Sequence, residues 1–207
     1  MTVLHRAIFG LLVCVSLAAF PAHADSKGEN AEKFVAKLGE TALEMVTDKS
    51  LVGEARREEF RKLLQNNFDM AWIGQFVLGK HWRRASPDQR ETYLKLFEES
   101  VVFTYTNQFD EYSGQTFEVT GNIESGRFTM VNSKIVNPAN PGSSVLVDWR
   151  LIEEADSFRI VDVVIEGISM GITQRNEYSA VIDGNSGKID SLLVKMEEIL
   201  ENLRRRA

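Results

Sequence analysis

Cysteine is all but missing from this chain of 207 residues, with Cys14 the only one, and histidine occurs only at positions 5, 23 and 81. Beyond residue 14, disulfides and thiolate chemistry are therefore excluded, and so is Cys–His catalysis. A serine triad would have to rest on His81. That residue sits in Gly79-Lys80-His81-Trp82-Arg83-Arg84, where neighbouring cations oppose protonation of the ring and nothing resembles a nucleophile elbow. A surface or interface histidine is the plain reading. Zinc, copper and haem sites usually need clustered His or Cys, which the chain lacks. No loop carries oxygen ligands at EF-hand spacing, and no Gly-x-Gly-x-x-Gly or phosphate-binding loop occurs. No catalytic residue, metal or cofactor is expected.

Long apolar runs are also absent after Phe20. Before it, Met1–Arg6 carries one firm positive charge, Ala7–Phe20 is apolar but too short to span a bilayer, and Ala22-His23-Ala24 is a small-x-small cleavage site. These parts in this order predict a secretory signal peptide over residues 1–24 and a soluble exported domain over residues 25–207. Leu11-Leu12-Val13-Cys14 faintly resembles a lipid-attachment box, but Val13 is bulky and the apolar run continues past the cysteine. The full chain has 24 basic and 30 acidic residues, a formal charge of −6, which loss of Arg6 makes one unit more negative. Such a balance argues against nucleic acid and against coating an anionic membrane.

What is present divides into a helical part and a strand part. Ala31, Phe34, Val35, Leu38, Ala42, Met45 and Val46 fall at helical spacing, and Phe60, Leu63, Leu64 and Phe68 repeat the pattern. A short third helix is expected over Asp69–Leu78, stopped by Gly79. Ser86, Pro87 and Gln89 form a complete start signal for a fourth. From Tyr93 to Tyr112 its apolar positions cover more than about half the circumference, wider than the roughly 100° stripe of a surface helix. Such a helix is either a central core helix or part of a cavity wall. From Gln115 the period changes to two: Phe117, Val119 and Ile123, then Phe128 and Met130, then Val145, Val147, Trp149 and Leu151. Gly121, Ser125-Gly126 and Asn137–Gly142 read as breaks between antiparallel strands. Ser157–Glu166 is apolar on both faces, as in a strand covered on both sides. A helix is expected before Asn185, and Ile189, Leu192, Leu193, Met196, Ile199, Leu200 and Leu203 mark a last one. The fold class is thus α+β in one compact unit: N-terminal helices and a long central helix with an antiparallel sheet of about four strands, followed by C-terminal helices.

Asp148 and Asp162 are the carboxylates to weigh for acid–base work. Alternation sets Asp148 opposite Val147 and Trp149, and puts Asp162 on the face of Phe158 and Ile160. The simpler role for each is an ion pair with Arg150 or Arg159. Lys80, Arg83, Arg84 and Arg175 are cations available to a phosphate, with solvated surface charge as their ordinary role.

Several segments together resemble the MlaC, or toluene-tolerance, family of periplasmic phospholipid-transport proteins of Gram-negative bacteria. They are Phe68-Asp69-Met70 with Leu78-Gly79, Trp82 and Ser86–Arg90; Phe97 and Tyr105 in the long helix; Val147–Arg150, Phe158–Val163 and Glu166–Ser169; and Gln174–Tyr178 with Gly187, Ile189, Leu192 and Leu193. Each is ordinary punctuation alone; their order across nearly the whole chain is specific. Tyr178 departs from an expected phenylalanine, and the first helix carries no recognised motif. The resemblance implies that the antiparallel sheet is curved and that the fold holds a deep apolar pocket for lipid tails, with the headgroup near its mouth. It implies a carrier that shuttles phospholipid between inner and outer membranes and maintains outer-membrane lipid asymmetry. The expected partners are an inner-membrane ABC transport complex with a substrate-binding ring, and an outer-membrane lipoprotein–porin complex.

For the pocket wall the candidates are Phe97, Val101, Tyr105 and Phe109 from the long helix, and Phe117, Val119, Phe128, Met130, Val147 and Trp149 from the sheet. Trp72, Phe76, Ile165, Ile168 and Ile172 are further candidates. Ordinary core packing is the competing role for each. Two other functions remain open: an exported adaptor or chaperone that binds protein, and a small apolar-pocket enzyme of the ketosteroid-isomerase type, which needs Asp148 or Asp162 inside the pocket.

Overall fold

The computed structural model describes residues 26–155 and 157–206; the signal peptide and Cys14 expectations lie outside them. The chain begins with α1 (Lys27–Thr47), α2 (Gly53–Asn67), α3 (Met70–Leu78) and α4 (Pro87–Thr106). The starts are set by local chemistry. Ser26 and Glu29 form a capping box on α1, Asp69 Oδ1 accepts from Trp72 N at 2.9 Å on α3, and Ser86 with Gln89 forms a second box on α4. Gly79, at φ +58°, ends α3 and opens a single 3-10 turn through His81. The fourth helix is shorter than its apolar pattern, ending at Thr106 before a 3-10 turn over Phe109–Glu111.

Five antiparallel strands follow: β1 (Thr116–Ser125), β2 (Phe128–Asn137), β3 (Asn140–Glu154), β4 (Ser157–Ile165) and the two-residue β5 (Ile168–Ser169), in sheet order β1-β2-β3-β4-β5. Helices α5 (Met170–Gly184) and α6 (Ile189–Arg204) complete the fold. Among the described residues no helix is long and apolar enough to cross a membrane.

Two irregularities alter the expected faces. Gly121 is not a break: the ladder slips between Val119 and Gly121, so Thr120 is an extra residue within one strand. Ile123 is thereby turned off the face of Phe117 and Val119 and is exposed. A second slip between Arg150 and Leu151 leaves Val161 without an opposite residue. Beyond it Val163 rejoins Phe158 and Ile160 on the inner face, and Asp162, expected there, turns to the outer one. Period-two reading fails at a bulge because one inserted residue exchanges the faces of everything after it.

Helices α1 and α2 cover the inner face of the sheet. There Val35, Leu38, Phe60, Leu63 and Leu64 meet Val131, Leu151, Phe158 and Ile160 in a first core. A second core is drawn from helices and the turn before α4, with Val77, Leu78, Ala85, Tyr93, Phe97, Ile182, Leu192 and Met196. Helix α4 serves both: Val102 is buried in the first, Tyr93 and Phe97 in the second, and Val101 touches each. That double duty accounts for its wide apolar surface.

Candidate functional site

The inner seam, between the sheet and the helices over it, is the largest gathering of predicted wall residues. Phe117, Val119 and Trp149 rise from the sheet, and Val101 and Phe109 descend from α4 and the turn after it. All are half-buried rather than sealed. Ring contacts fix their order: Trp149 lies edge-on to Phe117 at 6.1 Å and to Phe68 at 6.5 Å, and Phe60 meets Phe109 at 5.3 Å. Trp149 is held by a polar handle, its Nε1 donating to Ser133 Oγ at 2.9 Å while that hydroxyl donates to the Val147 carbonyl at 2.7 Å. The first helix closes on the sheet through Gly39, where a Cβ would lie 2.3 Å from the Phe117 ring.

The remaining candidates scatter. Val147 is buried and pairs with half-buried Ile165. Tyr105 is 40% exposed and leans on Phe60 at 6.3 Å. Phe97 belongs to the second core, stacked on Tyr93 at 5.9 Å. Phe128 and Met130 stand on the outer face, where Arg150 lies over the Phe128 ring. Ile168 in β5 and Ile172 in the first turn of α5 are exposed. Sequence reasoning left Phe34, Phe60, Phe68, Val131 and Phe158 out of the seam. Phe34 and Phe60 lay on recognised helix stripes, but nothing in the spacing tells which strand a stripe will meet.

Trp72 and Phe76 are found elsewhere, flooring an open groove of about 490 Å³ between α3, the 3-10 turn and α5. Their rings stack at 5.3 Å, and the Arg175 guanidinium lies 4.6 Å over Phe76. Gly79 permits this closeness, since a Cβ there would lie 2.5 Å from Arg175 Nε. Lys80, Trp82 and Arg83 complete the rim. A second open groove, about 550 Å³, runs between α5 and α6 beside Val181 and Val194.

The polar centres are arranged for structure. Asp162 is 5% exposed; its Oδ2 accepts from Ser169 Oγ at 2.7 Å and Arg150 Nη1 at 3.2 Å, and its Oδ1 from Gly171 N at 3.1 Å. This carboxylate joins β3, β4 and α5. Asp148 accepts from Asn132 Nδ2 at 2.8 Å. His81 is not a surface histidine: it is fully buried, and neither ring nitrogen has a hydrogen-bond partner. Burial pushes its pKa down, Asp183 at 3.7 Å pulls it up, and Lys80 and Arg84 lower it again. Burial likewise raises the hydroxyl pKa of Tyr93, which donates to the Gly74 carbonyl. Among the described residues no cluster of three or more His, Cys, Asp or Glu could hold a metal.

The family model described as MlaC protein matches residues 36–198. The chain belongs to the MlaC family. The stretch runs from α1 into α6, so it takes in the sheet, the second core, most of the first core and the groove beside α3. Among curated MlaC relatives, the Intermembrane phospholipid transport system binding protein MlaC of Haemophilus influenzae is 26% identical over 133 residues, 63% of this chain and 61% of that protein. Toluene tolerance protein ttg2D of Pseudomonas putida is 24% identical over 115 residues, 55% of this chain and 53% of that protein. The chain thus matches between about half and three fifths of these relatives' lengths. The fold is shared with a phospholipid-binding protein from Ralstonia solanacearum solved in complex with a phospholipid: TM-score 0.72, 20% identity, 84% of this chain and 98% of that one. The fold is α+β with helices on an antiparallel sheet, as the sequence led us to expect, and the sheet has five strands where about four were expected.

Proposed function

We propose that the chain is a periplasmic phospholipid carrier, exported by a signal peptide over residues 1–24 that is then cleaved, and acting through a single domain over residues 25–207. The observation that carries this reading is the half-buried apolar seam of Phe117, Val119, Trp149, Val101 and Phe109, set within a fold whose named relatives are phospholipid-transport and phospholipid-binding proteins. The tails belong in that seam. Neither open groove has the roughly 1,000 Å³ or more that two tails call for.

Energetics define the task. Each methylene withdrawn from water is worth about 0.8 kcal/mol, so a lipid with about 30 methylenes represents roughly 25 kcal/mol. A carrier must offer tails an environment as apolar as the membrane, which makes loading a near-balanced exchange. It then needs no energy source of its own. Direction comes from partners that bind loaded and empty forms differently. The inner-membrane ABC complex with its substrate-binding ring, and the outer-membrane lipoprotein–porin complex, are the partners this reading assigns, with maintenance of outer-membrane lipid asymmetry as the outcome.

No chemical step is required. An enzyme would need a carboxylate free to act in the seam, whereas Asp162 is engaged by donors on the outer face and Asp148 by Asn132. The test is a charge in the seam. Val101→Asp is expected to cut phospholipid retention, measured by lipid extraction, to a larger extent than it lowers unfolding free energy. Equal loss of both would make the seam ordinary core and sink the assignment.

A further inference from the structure

The groove beside α3 has a chemical character that tail binding does not use. Trp72 and Trp82 carry indole N–H donors, Lys80, Arg83 and Arg175 are cations, and the rim has no carboxylate of its own. Lys80 is neutralised by Asp183 at 2.8 Å. Arg83 and Arg175 have no carboxylate within ion-pair distance among the described residues, although acidic residues outnumber basic ones in the chain as a whole. Arg175 is also positioned rather than free: it lies on Phe76 and against Gly79. A guanidinium fixed on an aromatic face has already given up much of its side-chain freedom, and its fork of donors suits two oxygens of one anion. At about 490 Å³ the groove holds a small polar group and one short apolar stem.

From this geometry we infer that the groove formed by Trp72, Phe76, Trp82, Arg83 and Arg175 is a phosphate-ester site. Arg175 and Arg83 clasp the phosphate oxygens, and the aromatic floor takes the organic part. Its ligand is either the headgroup of the cargo, which rests on the carrier reading, or a free phosphate ester, which does not.

Two measurements separate these sources, using delipidated protein, the Arg83→Gln/Arg175→Gln double variant, and Arg127→Gln as a cation change elsewhere. In the first, glycerol 3-phosphate is titrated against tryptophan fluorescence and calorimetry. In the second, phosphatidylglycerol and diacylglycerol with the same tails compete for loading. Affinity for glycerol 3-phosphate is expected to fall about tenfold in the double variant, the size of one charge-assisted hydrogen bond, and to stay unchanged in Arg127→Gln. Arg175→Lys, which keeps charge but loses the fork, falls between. If the source is cargo, preference for phosphatidylglycerol over diacylglycerol also drops about tenfold while diacylglycerol loading holds. If it is a free ester, that preference stays put. Wild-type protein that loads neither lipid contradicts the carrier reading, yet the first titration still reads the site. Equal affinities and preferences in all forms overturn the inference, and so does binding of a polyglutamate peptide without any of glycerol 3-phosphate.

Discussion

At the scale of single residues, His81 and Asp162 are opposite solutions to burying a polar group. Asp162 is satisfied by Arg150, Ser169 and the Gly171 amide, so removing it strands three donors. Arg150 is 31% exposed and recovers some solvation. Asp162→Ala is therefore expected to cost about 2 kcal/mol in urea denaturation, below the roughly 3–5 kcal/mol of a fully buried pair. Loss under about 0.5 kcal/mol would mean that the junction of β3, β4 and α5 does not depend on it. His81 has no hydrogen-bond partner, Asp183 stands 3.7 Å from its Nε2, and its pKa is lowered chiefly by burial. A lowered basic group binds protons less readily folded than unfolded. Its penalty is absent at high pH and grows as pH falls through the unfolded value near 6.5. Stability is expected to decline from pH 7.5 to 5.5, and His81→Leu to remove that part of the slope. A variant with the wild-type slope would place the pH dependence elsewhere.

Elements show where sequence reasoning worked and where it stopped. The start of α4 was legible because Ser86, Pro87 and Gln89 act within one turn, and the structure has both capping hydrogen bonds. The end of α3 was legible for the same reason: Gly79 adopts the positive φ that the pattern asked of it. Strand faces were not. Bulges at Thr120 and Val161 sent Ile123 and Asp162 to faces that alternation denied them, because a bulge is settled by pairing across strands. The gathering of Val101, Phe109, Phe117, Val119 and Trp149 could be foreseen as apolar residues, but the docking of α1 on β1 could not. That docking turns on Gly39, whose missing side chain admits the Phe117 ring. Gly39→Leu is expected to cost about 1–3 kcal/mol by overpacking and to show as greater amide hydrogen exchange in α1 and β1. Unchanged exchange there would mean that the ring moves aside freely.

Among the described residues two cores are joined by α4, one built almost entirely from helices and one made of a sheet face with helices laid over it. Only the second kind offers a long apolar seam between unlike layers, which suits extended hydrocarbon tails better than the interior of a helix bundle. Val101 touches both cores, so a tail in the seam would be felt in the helical core as well. Bound phospholipid is accordingly expected to raise the thermal midpoint of the entire domain, in a single transition that rises with lipid concentration. Two separate transitions, with only one of them lipid-dependent, would show that the cores unfold apart.

Whether this chain holds phospholipid can be read by native mass spectrometry of the mature protein purified from a bacterial host. The expected result is a mass excess that lipid extraction resolves into one or more phospholipids, diminished in Val101→Asp. A bare polypeptide mass, unchanged after incubation with phospholipid vesicles, would contradict it and turn attention to a protein-binding adaptor.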